Sequence, residues 1–140
     1  VLAEPFLTMT QNQWASNNEG ELYEIYDIQE LYKEETGMSS YPQAALFVKT
    51  SLVQSNLQDI MNFANKMQTS ITNYNNNPEA LSARIDEVDL SELGFANPDL
   101  IKQAYSRMAL NFVYAYDCAD EIDTFLDLFE IKLKSSSYIE

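Results

Sequence analysis

The sequence predicts an α/β fold, a small three-stranded sheet with about five or six helices. Three observations carry that prediction. The run Ala44-Ala45-Leu46-Phe47-Val48 is apolar throughout and bounded by Gln43 and Lys49, the pattern of a strand covered on both faces. Leu22 to Asp27 alternates in a stretch rich in β-formers, and Val1 to Glu4 is a short apolar lead that stops at Pro5. From Ser55 onward, apolar residues recur at helical spacing between Asn-Pro pairs that suit helix starts.

Taken in order, the chain opens with the strand Val1 to Glu4. Pro5 then suits a first helical position, and a short helix runs through Phe6-Leu7-Thr8-Met9 toward Trp14. Ala15 to Gly20 is a polar break before the second strand. Ile28 to Thr36 reads as a short helix or an extended arm, closed by Gly37. Ser39-Ser40-Tyr41-Pro42 is a turn into the central strand, with Thr50-Ser51 as its stop. Ser55 is the expected N-cap of a helix carrying Leu57, Ile60, Met61, Ala64, Met67, Ile71 and Tyr74 on one face. Asn77-Pro78 and Asn97-Pro98 each open another. The last helix turns Ile122, Phe125, Leu126, Phe129 and Leu133 inward, with Lys132 and Lys134 near its C-terminus and a frayed Ser135–Ser137 tail.

The chain has 140 residues, with 22 acidic against 8 basic side chains and a net charge of −14. Such a surface repels nucleic acid and anionic lipid, so neither is expected as a partner. Histidine is absent, which removes imidazole acid–base chemistry, His-dependent triads and His-containing metal sites. Cys118 is the single cysteine, so no internal disulfide forms, and with no base beside it the thiol reads as a packing group. Glycines at 20, 37 and 94 cannot form a phosphate-cradling loop. Asp86, Glu87, Asp89 and Glu92 lack calcium-loop spacing, and Asp120, Asp123 and Asp127 share the outer face of the last helix. No catalytic motif, metal or cofactor is expected.

A strand covered on both faces needs neighbours on both edges, and the chain offers only two candidates. The sheet therefore reads as incomplete, and the apolar start Val1-Leu2-Ala3 reads as a chain entered in its middle. The order of motifs resembles the type II solute-binding proteins of ABC importers, in the nitrate, sulfonate, taurine and thiamine-precursor group. Ala3-Glu4-Pro5-Phe6 resembles that family's Glu-Pro crossover, and Tyr41-Pro42 followed by Gln43 to Lys49 is similar to its turn into an apolar strand ending on a basic residue. Ser55-Asn56 and Asn77-Pro78-Glu79-Ala80 match its helix starts, and Ile101 to Leu128 resembles its closing segment, with Ala104 where an apolar residue is usual before Arg107.

The resemblance implies that residues 1–140 are a single partial domain, the C-terminal half of a two-lobe periplasmic-binding-protein-like type II fold. It implies an extracytoplasmic receptor, periplasmic or a cell-surface lipoprotein, that is not an enzyme and takes no cofactor. A small solute such as a sulfonate, nitrate or thiamine-precursor pyrimidine would be captured between the lobes and handed to ABC permease subunits. Glu4 and Pro5 would lie at the hinge crossover, and Ser40 and Tyr41 at a cleft-facing loop, as the ligand-binding residues. Exposed strand edges would let the fragment self-associate. Two other readings stand beside it: an acidic helical protein-interaction module with an amphipathic groove, and a pyrimidine-synthesis enzyme of the same fold, which the missing histidine disfavours.

Overall fold

Helices supply all the regular secondary structure of the described residues, and no strand occurs among them. The computed structural model describes residues 1–17, 19–95, 97–134 and 137–138. The elements are α1 (Phe6–Ser16), α2 (Ile28–Thr36), α3 (Thr50–Asn76), α4 (Pro78–Glu87), α5 (Pro98–Tyr105) and α6 (Ala119–Asp127). Short 3-10 turns at Leu90–Leu93 and Ala115–Cys118 complete them. The expected three-stranded α/β sheet is therefore corrected to a helical fold, and each expected strand meets a separate obstacle.

Val1 to Glu4 does not extend, because its end is wound into the start of α1. The Leu7 N–H reaches the Ala3 carbonyl at 3.1 Å, and the Thr8 N–H donates to the Glu4 carboxylate at 3.2 Å. A carboxylate that satisfies a first-turn N–H favours helix over strand locally. Pro5 sits one place before the helix rather than at its first position. Leu22 to Asp27 and Ala44 to Val48 are irregular and unpaired, with Ile25 82% and Phe47 85% exposed. Their composition suits strands, but β-pairing needs a neighbouring ladder, which each segment's own pattern cannot supply.

The helical expectations fare differently. Asp27 caps α2 by accepting from the Gln29 N–H at 2.7 Å, and Gly37 ends it with a left-handed φ of 75°. Asn77 accepts from the Ala80 N–H at 3.1 Å and Asn97 from the Asp99 N–H at 3.0 Å, so both Asn-Pro pairs open helices as expected. Thr50-Ser51 does not stop a strand, since α3 begins there. Its helical geometry lapses at Asn56 (φ −139°, ψ 30°), beside the Ser55 start expected from the sequence. α6 ends at Asp127, short of the expected Leu133. Glu130 turns to a φ of 58° and the Ile131 N–H bonds back to the Leu126 carbonyl at 3.1 Å, a Schellman-type close. Lys132 then pairs with Asp127. Of the expected frayed tail, Ser135 and Ser136 lie outside the described residues.

The chain divides into two compact units. The first comprises Val1–Tyr23 and Phe63–Phe112. In it α5 packs against both α4 and α1, and Ala104 is 0% exposed, with Leu100, Ile85 and Ala64 also buried. Asn12 Nδ2 donates to Gln103 Oε1 at 3.0 Å, tying α1 to α5. The second unit comprises Glu24–Asn62 and Val113–Glu140 and is organised around Tyr32.

A methyl-sized side chain at Ala104 sets how closely α5 approaches its neighbours. Ala104→Leu overpacks that contact and should lower stability by about 1–3 kcal/mol. Urea unfolding followed by helical circular dichroism reads the loss, and an unchanged midpoint refutes this packing.

Candidate functional site

Glu4 and Pro5, two of the four expected ligand-binding residues, lie in the first unit, and Ser40 and Tyr41 lie in the second. Pro5 is buried at the start of α1. The Glu4 side chain is 7% exposed and is committed to structure rather than held open. Its Oε2 accepts from the Thr8 N–H and hydroxyl, the latter at 2.8 Å, while Arg107 Nη2 lies 2.7 Å from Oε1. The N–H bonds of Arg107 are not aligned on Oε1, so that buried oxygen has a charge beside it and no hydrogen bond among the described residues. Arg107 also donates to the Thr8 hydroxyl and reaches Gln11 Oε1 at 3.4 Å. This network staples the first turn of α1 to the end of α5.

A cleft of about 500 Å³ opens elsewhere in the first unit, within the usual range for small-ligand sites. Pro78, Leu81 and Ile85 of α4 give it an apolar wall, opposed by Tyr105 and Ala109. Asn75 closes one end: its Nδ2 donates to the Leu110 carbonyl at 2.8 Å, and its Oδ1 accepts from the Tyr105 hydroxyl at 3.0 Å. Burial, helped by neighbouring Tyr74, pushes the Tyr105 hydroxyl above its ordinary pKa, so it remains a donor at neutral pH. Lys102 brings a cation to the lining, but Asp86 accepts from its Nζ at 2.5 Å and Asp99 lies 3.6 Å away. The Asp86 hydrogen bond raises the lysine pKa further, so the ammonium persists and its charge is already answered. None of the four expected residues lines this cleft. The sequence analysis picked out neither Asn75 nor Lys102 as a site residue, because only the fold brings the end of α3 beside α5.

The second unit gathers aromatic rings. Tyr41 stacks on Phe125 with centroids 5.4 Å apart and planes within 6°. Tyr32 meets both rings edge-on, at 5.2 Å from Tyr41 and 6.0 Å from Phe125, and Phe129 meets Phe125 edge-on at 5.4 Å. Offset and edge-on pairs of this kind contribute about 0.5–1.5 kcal/mol each beyond the area they bury. Tyr32 is 8% exposed, whereas Phe129, at the other end of the row, is 61% exposed. Tyr41 is thus drawn into the cluster, while Ser40 beside it is exposed and outside it. Sequence periodicity placed Phe125 and Phe129 on an inward helix face, but gave no means of pairing them with Tyr32 and Tyr41.

Acidic side chains surround this row in sequence. Asp120, Glu121, Asp123 and Asp127 are exposed on α6, and Glu30, Glu34 and Glu35 on α2. The second unit holds 13 of the 22 acidic residues and 4 of the 8 basic ones, a balance of −9 out of −14. Cys118 donates from Sγ to the Tyr114 carbonyl at 3.4 Å, and burial together with the Glu121 and Asp117 carboxylates pushes its thiol up, away from nucleophilic use. Among the described residues no group of three Cys, Asp or Glu side chains is placed to hold a metal ion, and no helix is long and apolar enough to cross a membrane. The chain matches no protein-family model, no curated protein and no solved structure.

The Tyr32 hydroxyl is buried without a hydrogen-bond partner among the described residues. An unmade hydrogen bond of a buried hydroxyl costs about 1–3 kcal/mol, so Tyr32→Phe should unfold at an equal or higher temperature than the parent. A melting temperature several degrees lower would mean that the hydroxyl has a partner in solution.

Proposed function

We propose that this chain is an acidic helical protein-interaction module, and that the aromatic row of the second unit receives a basic amphipathic segment of a partner protein. The observation that carries the reading is the graded exposure of one stacked row, from buried Tyr32 to open Phe129, beside α2 and α6, which expose seven carboxylates between them. Leu128 and Ile131 extend the apolar surface beyond Phe129, both exposed. A partner helix with Leu or Phe on one face and Lys or Arg beside it would bury apolar area and answer charge together. The sheet expected with the receptor reading is absent among the described residues, and the interaction reading needs none. Fluorescence anisotropy with a labelled Lys/Leu amphipathic peptide tests it. Binding should weaken about tenfold or more between about 50 and 300 mM salt, and Phe129→Ala should weaken it about fivefold or more. Equal binding of the same peptide with Glu in place of Lys, or none by the basic peptide, would sink the proposal.

The cleft of the first unit favours a second reading, capture of a small solute. With Lys102 already paired, the lining suits a neutral ring with apolar faces better than nitrate or a sulfonate. Among the expected solutes that selects the pyrimidine. A thermal shift with neutral pyrimidines but not with nitrate or sulfonates is the expected result, and the opposite order counts against this reading.

A further inference from the structure

We propose that Gln43 to Val48 pairs with the same segment of a second copy of this chain, becoming a β-strand only on pairing. The segment is irregular, and among the described residues no backbone–backbone hydrogen bond involves Ser39 to Val48. Its amides and carbonyls are therefore open to another chain. Leu46 and Phe47 are exposed, and Leu, Phe and Val in a run without proline, glycine or charge form the type of six-residue window that pairs edge to edge.

Charge names the occupant. No charged side chain lies between Glu35 and Lys49, although the chain as a whole carries −14. Other uncharged stretches, such as 5–17, 50–58 and 67–76, lie largely in α1 and α3, where the backbone is already bonded within the helix, whereas this window brings no carboxylate and keeps its backbone open. A basic partner, in contrast, gains nothing from it. The segment also suits itself in antiparallel register: with Leu46 opposite Leu46 of the second copy, Ala45 faces Phe47 and Ala44 faces Val48, small against large. Such a two-fold contact uses the same patch on both copies, so the first species it forms is a dimer. Its area is well below that of a standard interface of about 1,600 Å², so the pairing is weak and depends on concentration.

Sedimentation velocity of the full chain, from about 1 to 300 µM and at about 50 and 500 mM salt, tests the proposal alongside infrared amide I spectra. The expected result is a dimer favoured by high concentration and by high salt, with an intermolecular β-band that grows in step. Phe47→Lys and Leu46→Pro should each weaken dimerisation about tenfold or more and leave the helical circular dichroism unchanged. A monomer at the highest concentration and salt overturns the proposal. So does a dimer without the β-band, or one that both variants leave intact. Salt strengthens this contact and weakens capture of a basic peptide, so failure of one proposal is distinct from failure of the other.

Discussion

A helix start leaves its first backbone N–H groups without partners, and in this chain side-chain acceptors fill those places one after another. Glu4, Asp27, Asn77, Asp89 and Asn97 each accept from an N–H two to four residues onward. The rest of the fold depends on these local bonds, because few apolar side chains are buried to supplement them. Among the described residues the buried apolar set is Pro5, Tyr32, Ala64, Ile85, Leu100 and Ala104. Asp89 shows the coupling of cap and charge most directly: hydrogen bonds from the Ser91 hydroxyl and N–H hold its carboxyl below the ordinary range. A depressed carboxyl contributes stability above its unfolded pKa, near 4, and that contribution fades as the pH falls through its lower folded value.

Because the caps are local, they were the part of the fold most legible in the sequence. Asn77-Pro78 and Asn97-Pro98 announced helices that begin where expected, and Gly37 marked a true helix end. The sheet was misread for the opposite reason. Ala44 to Val48 and Leu22 to Asp27 carry strand composition, but a strand exists only where a second segment pairs with it. That is a long-range fact which no local pattern contains. Val1 to Glu4 was misread because Glu4 had a local use, at the first turn of α1, that a reading by apolar content overlooked. The candidate sites divide along the same line. Tyr41 could be picked out as a turn tyrosine, but its partner Phe125 is distant in sequence.

The two units use their charge differently. In the first, the cations are largely engaged by neighbours: Arg107 by Glu4, Lys102 by Asp86 and Asp99, Arg84 by Glu87. These are pairs of structure, mostly at the surface, where each contributes little to stability by itself. In the second, acidic residues far outnumber basic ones, and the excess stands beside open aromatic surface. An apolar surface bordered by unanswered charge is selective, since it rejects acidic partners and attracts basic ones before contact is made. Unpaired charge and uncovered rings are thus one property of this unit, with consequences for encounter as well as for contact.

The stacking of Tyr41 on Phe125 also has a dimension in time. The two rings are separated by about 80 residues of chain. At a synthesis rate of about 5–20 residues per second, Tyr41 leaves the ribosome several seconds before Phe125 exists. During that interval α4 and α5 can form on their own caps, while the uncharged window after Tyr41 waits with nothing to stack against. On the pairing proposed above, a nascent chain crowded beside its neighbours on one message is most adhesive through this window, and loses part of that adhesiveness only when Phe125 arrives to cover Tyr41.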